Sequence, residues 1–295
     1  MTNDISALIQ QSNLLTKYDS KNKHTWCSGC GDYGILSAIK RALTLENIQP
    51  HNAVMCFDVG CNGNASDKVN TNTIHGLHGR STILASGIAN ANPKLQVIAT
   101  GGDGSTFSEG INHLIHCIRN NYNITFICHN NANYGLTIGQ ASSITPAGQN
   151  MNALPGETVA EPLNTLDLVL SCKPTFVARG FSGNITQMTD IIRKGMQNQG
   201  FSYVEMLQVC PTFNKFTPQE WYWDKIYDLK EANHDTSDIW SARKIALDTD
   251  KLGLGVIYEN PRESFLETQK YRNPKSSLVE EVKNYEISEL LEEFM

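Results

Sequence analysis

The chain has 295 residues, 40% hydrophobic and 18% charged, an ordinary balance for a soluble globular protein of one large α/β domain with an extension, or two small domains. Its net charge of −6, from 24 basic and 30 acidic residues without a basic cluster, argues against a nucleic-acid partner. Residues 1–23 lack the basic start and apolar core of a secretion signal, and no apolar run approaches the ~20 residues that span a bilayer, so no membrane association and a cytoplasmic location are expected.

In chain order, a turn-rich run Trp26-Cys27-Ser28-Gly29-Cys30-Gly31-Asp32-Tyr33-Gly34 precedes a helix expected from about Ile35 to Leu45. Val54–Phe57 reads as a buried strand leading into Val59-Gly60-Cys61-Asn62-Gly63-Asn64, and a glycine- and asparagine-rich loop then carries His75-Gly76-Leu77-His78-Gly79-Arg80. A small-residue helix over Ser81–Ala91 leads to a strand at Leu95–Thr100. A second helix is expected across Ser105–Asn120, then a strand at Ile124–Cys128. The stretch from Thr137 to Pro162 is long and irregular, as functional loops often are. A strand at Thr175–Arg179, a helix face from Ile185 to Met196 stopped by Gly200, and a strand at Tyr203–Val209 follow. This alternation implies a doubly wound, mostly parallel α/β sheet over residues 1–217. Residues 218–295, with Trp221-Tyr222-Trp223 and a glutamate-rich final helix, read as a wrapping extension.

Two strands end in oxygen ligands. Gly102-Asp103-Gly104 closes the first, and Asn131 closes the second, 28 residues after Asp103. Gly-Asp-Gly alone is a common turn. Paired with an asparagine at the end of the next strand, it places a carboxylate and an amide oxygen at one sheet edge, where α/β proteins bind ligands. That donor set suits Mg²⁺ holding a diphosphate, because Mg²⁺ takes few protein ligands and keeps phosphate oxygens. Asn133 would add its backbone carbonyl, and Gly135 lets the following loop press against the diphosphate.

Eight cysteines in a reducing compartment are not expected to form disulfides. Cys56, Cys117 and Cys128 lie on apolar faces and read as packing residues; Cys172 carries no motif. Cys27-x-x-Cys30 lacks the preceding strand of a thioredoxin-like dithiol. With Cys61 and Cys210 at strand ends, four thiolates can meet at the same edge and hold either Zn²⁺ or an iron–sulfur cluster. The Asp103–Asn131 arrangement resembles the diphosphate-binding half of thiamine diphosphate enzymes; a redox cluster beside such a cofactor would have electrons to accept, whereas zinc there has no evident task.

The pieces Trp26–Gly31, Val59-Gly60-Cys61, His75–Arg80, Gly102-Asp103-Gly104, Asn131–Gln140 and Cys210-Pro211-Thr212 occur in the order found in the beta subunits of 2-oxoacid:ferredoxin oxidoreductases, which the chain resembles over about residues 24–216. The resemblance implies CoA-dependent oxidative decarboxylation of a 2-oxoacid, with electrons passing to ferredoxin. It implies a diphosphate-binding fold with thiamine diphosphate, Mg²⁺ on Asp103, Asn131 and Asn133, and a [4Fe–4S] cluster on Cys27, Cys30, Cys61 and Cys210. Gly60, Cys61, Asn62, His78, Gly104, Ser105, Gly135 and Leu136 would contact the cofactor, His78 at the reacting centre. His75 and Arg80 receive no assigned role. The family's pyrimidine-binding domain finds no room before Gly102, so an alpha subunit that bears it is the expected partner.

Two departures stand out. Ser105 replaces an acid common after Gly-Asp-Gly, and Ile138 stands where a lysine or glycine is usual, which leaves the choice of 2-oxoacid open between 2-oxoglutarate and pyruvate. A non-oxidative thiamine diphosphate decarboxylase or carboligase with a structural zinc would share Asp103 and Asn131, but its reaction has no need of four converging cysteines. A non-catalytic iron–sulfur electron carrier would leave the magnesium motif unexplained.

Overall fold

The most apolar stretches form the centre of one sheet, eight-stranded among the described residues and ordered β2 (Asn72–His75), β1 (Ala53–Phe57), β3 (Gln96–Gly102), β4 (Thr125–Asn130), β6 (Ser202–Leu207), β5 (Phe176–Phe181), β8 (Leu252–Glu259) and β7 (Ile226–Asp228). The structure is a computed structural model and describes residues 16–281 and 288–294. Strands β1 (Ala53–Phe57), β3 (Gln96–Gly102), β4 (Thr125–Asn130), β5 (Phe176–Phe181) and β6 (Ser202–Leu207) are parallel and almost wholly buried. Their runs are continuous rather than alternating because helices cover both faces.

On one face, α1 (Asp32–Leu45) presents Ile35, Ile39 and Leu43, and α5 (Ile185–Gln197) presents Met188, Ile191 and Ile192. On the other lie α2 (Ser81–Ala91), α3 (Ile111–Asn120), α4 (Thr165–Ser171) and α7 (Ile239–Leu247), meeting Val97, Phe126, Val177 and Tyr203. Each such large side chain taken out of water contributes about 2 kcal/mol, which fixes the strands in register. The expected packing cysteines Cys56, Cys117 and Cys128 are buried in this second core.

Several elements differ from expectation. Residues 72–75 form β2 (Asn72–His75), parallel to β1, where a loop was expected; as a largely exposed edge strand it needs no apolar run. The helix expected across Ser105–Asn120 is broken at Gly110 into a π-helical turn, Ser105–Glu109, and α3. Such turns recur at functional sites. The short α4 also went unforeseen.

Beyond Pro218 the chain does more than wrap. After α6 (Gln219–Lys225) and β7 (Ile226–Asp228), strand β8 (Leu252–Glu259) pairs antiparallel with β5, so the sheet continues into this segment. The expected final helix is represented by α8 (Leu278–Glu281) and α9 (Ser288–Glu292), with residues 282–287 outside the described residues.

Candidate active site

The chain leaves β1 toward β2 on one side and returns to β3 on the other, which opens a crevice at the carboxyl ends of β1 and β3. A small cleft lies there. Every residue expected to contact the cofactor lines it: Gly60, Cys61 and Asn62 after β1, His78 after β2, Gly104 and Ser105 after β3, and Gly135 and Leu136 after β4. Asn131 and Asn133 line it as well.

Asp103 is buried behind this wall, 1% exposed. Its Oδ1 accepts from Asn131 N at 3.2 Å and its Oδ2 from Ser142 Oγ at 2.5 Å. Both donors are neutral, and Asp103 makes no ion pair among the described residues. Burial therefore pushes its carboxyl up to about 7, well above the usual carboxylate range, with the donors only partly opposing it. A buried carboxylate left without a cation fits Mg²⁺ as its missing partner. Asn131 Oδ1 accepts from Asn133 N at 3.2 Å, so Asn131 and Asn133 form a tight turn beside Asp103.

The cysteines gather on the other side of Gly135. A Cβ there would stand 3.4 Å from Cys61 Sγ and 3.7 Å from Cys210 Sγ, so the cleft wall at Gly135 lies in van der Waals reach of both sulfurs. Trp26 Nε1 donates to the Cys61 carbonyl at 2.6 Å, which pins the Cys27–Cys30 turn to the loop after β1. Burial pushes the Cys61 thiol up to about 12, with the Asp32 carboxylate and the Cys210 and Cys27 sulfurs adding to it. Burial, then Asp32, raises Cys30 further, with Cys61 contributing. Cys61 thus lies near Cys27, Cys30 and Cys210, burial keeps the Cys30 and Cys61 thiols protonated unless a metal takes the proton's place, and cysteine sulfurs are the donors that hold an iron–sulfur cluster. Among the described residues no three His, Cys, Asp or Glu side chains are drawn together to hold a single ion.

Other expected residues find more local tasks. His78 Nδ1 lies 3.1 Å from Glu109 Oε2, and the ring stacks on Tyr134 with centroids 5.9 Å apart. A ligand in the cleft would therefore meet its remaining face. Ser105 donates its hydroxyl to Asp58, so its single side-chain proton is directed into the protein rather than toward a phosphate. Arg80 Nη1 donates to the Glu109 carbonyl at 2.9 Å, and His75 Nδ1 is 3.2 Å from Ser66 Oγ; both brace loops. Ile138 is 61% exposed and has φ 73°, a strained conformation for a β-branched residue.

Three residues of the site escaped the sequence reading. Asp58 accepts from Ser105 and, at 2.8 Å, from Asn62 Nδ2; burial raises its carboxyl to about 6. It directly follows a strand, as Asp103 does, and that rule would have found it. His129 lines the cleft with Nε2 unpartnered and Nδ1 2.7 Å from Asp32 Oδ1, and Gln208 lines the same wall. A polar residue inside an apolar strand was the only signal for His129.

Comparison with known proteins bears directly on this geometry. The family model for the thiamine pyrophosphate enzyme C-terminal binding domain matches residues 58–206, and that for the C-terminal part of the pyruvate ferredoxin oxidoreductase beta subunit matches residues 210–273. The 2-oxoacid:ferredoxin oxidoreductase 1 subunit beta of Aeropyrum pernix is 33% identical over 86% of this chain and 83% of its own. The chain belongs to the beta subunits of the 2-oxoacid:ferredoxin oxidoreductases. Within this oxidoreductase family, the corresponding subunit of Saccharolobus solfataricus is 38% identical over 70% of this chain and 68% of its own. A solved 2-oxoglutarate:ferredoxin oxidoreductase from Magnetococcus marinus, with 2-oxoglutarate, coenzyme A and succinyl-CoA bound, matches with a TM-score of 0.88 and 30% identity, covering 95% of this chain and 96% of that one. The doubly wound parallel fold and the thiamine-binding domain are therefore family properties. No helix among the described residues is long and apolar enough to cross a membrane.

Proposed function

We propose that this beta subunit provides the diphosphate-binding half of a CoA-dependent 2-oxoacid decarboxylating centre, with 2-oxoglutarate or pyruvate as the oxoacid. One observation carries the reading: the loop that follows β4 bonds through Asn131 to Asp103, a buried carboxylate without an ion pair among the described residues, and four residues on, at Gly135, lies beside the sulfurs of Cys61 and Cys210. Asp103, Asn131 and the Asn133 carbonyl would hold Mg²⁺, and Cys27, Cys30, Cys61 and Cys210 a [4Fe–4S] cluster. When bound, thiamine diphosphate supplies the electron sink for decarboxylation and the cluster carries electrons singly toward ferredoxin.

The chain's own residues bind and position. Asp58 fixes the side chains of Asn62 and Ser105, two residues that line the cleft where the diphosphate would lie. His78, held by Glu109 at the mouth, is the polar side chain for the reacting centre. The 2-oxoglutarate and coenzyme A bound to the Magnetococcus marinus relative support 2-oxoglutarate as the first candidate. An alpha subunit would cover the cleft, supply the pyrimidine-binding domain and exclude water from the reaction.

The test is assembly. The chain alone, purified anaerobically and given Mg²⁺, thiamine diphosphate, coenzyme A and a panel of 2-oxoacids, is expected to be brown yet unable to sustain viologen reduction. Adding the alpha subunit is expected to restore it with one preferred oxoacid. Colourless protein with iron absent would remove the cluster, and sustained reduction by the chain alone would remove the half-site reading.

A further inference from the structure

Gln208 touches both halves of the site. Its side chain is buried, with the residue 1% exposed, and each end of its amide is used. Oε1 accepts from Asn131 Nδ2 at 3.1 Å, and Nε2 donates to Cys30 Sγ at 3.7 Å. The backbone is held as well. Its N–H donates to the Asn130 carbonyl at 2.8 Å, continuing the pairing of β6 with β4.

The neighbouring strand-end loops are shaped around it. Gly31, next to Cys30, donates its N–H to the Val209 carbonyl at 3.0 Å. A Cβ on Gly31 would fall 2.7 Å from Gln208 Cγ, so glycine at that position makes room for the stem that reaches the sulfur. Because Asn131 gives its Nδ2 to Gln208, its Oδ1 must face the opposite way, toward Asn133 N. Gln208 and the Asn133 N–H thus together fix which end of the Asn131 amide is offered to a cation. On the sulfur side Gln208 is a neutral N–H donor, and the Cys30 thiol itself donates to Asp32 Oδ2 at 3.3 Å.

We propose that Gln208 is a positioning residue that couples the two cofactor sites, orienting the Asn131 oxygen toward Mg²⁺ while giving an N–H···S bond to cluster ligand Cys30. This rests on the metal assignments proposed above. A hydrogen bond to a cluster sulfur stabilises the more negative, reduced form, so Gln208 raises the cluster's reduction potential. Residues behind the ligands commonly change metal affinity by about 10–100-fold when removed.

The experiment uses the anaerobically purified complex of the chain with its alpha subunit, as wild type, Gln208→Leu and Gln208→Glu. Iron and sulfide content, the potential followed by electron paramagnetic resonance, and calorimetric affinity for thiamine diphosphate with Mg²⁺ are read for each. Gln208→Leu loses both bonds; its affinity is expected to fall about tenfold or more and its potential to move negative. Gln208→Glu keeps an acceptor for Asn131 but no N–H for Cys30, so its potential should move negative while affinity is retained. That split is one a merely structural residue would not produce. Should Gln208→Leu lose its cluster outright, Gln208→Glu still decides. Wild type without iron would overturn the metal reading and the coupling together. A wild-type cluster, with both variants matching it in potential and affinity, would overturn the coupling alone.

Discussion

Glu205 and Asp103 are both 1% exposed and near the same edge of the sheet, yet the fold treats their charges in opposite ways. Glu205 Oε2 accepts from Arg179 Nε at 2.8 Å, and Oε1 accepts from Thr165 Oγ1 at 2.7 Å and Asn130 Nδ2 at 2.9 Å. Its charge is answered inside the protein. Asp103 has only neutral donors, and the nearby charge of Glu205 adds to the burial that raises its carboxyl to about 7. A carboxylate paired internally serves the fold, because its desolvation is offset before any ligand arrives. One left unpaired costs stability until a cation comes from outside, and that difference separates a structural acid from a binding acid.

The sharpest way to break this comparison is Asp103→Ala. On the proposed assignment it is expected to abolish Mg²⁺-dependent thiamine diphosphate binding while leaving the fold in place, because within the protein Asp103 gives up only two hydrogen bonds from neutral donors, Asn131 N and Ser142 Oγ. Calorimetry returning wild-type, Mg²⁺-dependent affinity would make Asp103 an ordinary buried acid.

Next in size are the sulfurs beyond Gly135. Cys61→Ser and Cys210→Ser should each lose or degrade the cluster, since a hydroxyl does not replace a thiolate on iron. Cys117→Ser, inside the core on α3, should keep it. Iron and sulfide quantification distinguishes them, and full occupancy in either loop variant would strike that cysteine from the ligand set.

Arg179→Met tests the opposite arm. It strands Glu205 as a buried, unpaired charge and should destabilise the chain by about 3–5 kcal/mol, read by urea unfolding. A loss no larger than that of a surface substitution would mean that the internal pairing does little, and the contrast with Asp103 would fail.

The smallest effect belongs to Asp58, whose carboxyl is raised to about 6 by burial. A group raised above its unfolded value gives stability that is complete below the unfolded pKa and is lost as pH rises through the folded one. The chain without cofactor should therefore lose up to about 2–3 kcal/mol between pH ~4 and ~6 on this account, in addition to what the raised Asp103 contributes, and Asp58→Asn should make the slope shallower. Parallel melting curves for the two proteins across this window would show that Asp58 carries no such penalty.

What could be read from the order of residues was whatever depends on spacing along the chain. Runs such as Val97-Ile98-Ala99 and Phe126-Ile127-Cys128 announce buried strands, and parallel strands must end at one edge, so Cys61, Asp103, Asn131 and Cys210 could be brought together on paper. Strand β2 was hidden because an edge strand needs no apolar run, and β8 because its place beside β5 depends on packing far along the chain. Which donors face which acceptors was settled only by the tertiary structure. Ser105 spends its proton on Asp58, Arg80 on a loop carbonyl, and Gln208 divides its amide between Asn131 and Cys30. A side-chain hydrogen bond depends on directions and separations of a few ångströms between residues far apart in sequence, and those exist only once the sheet has closed around them.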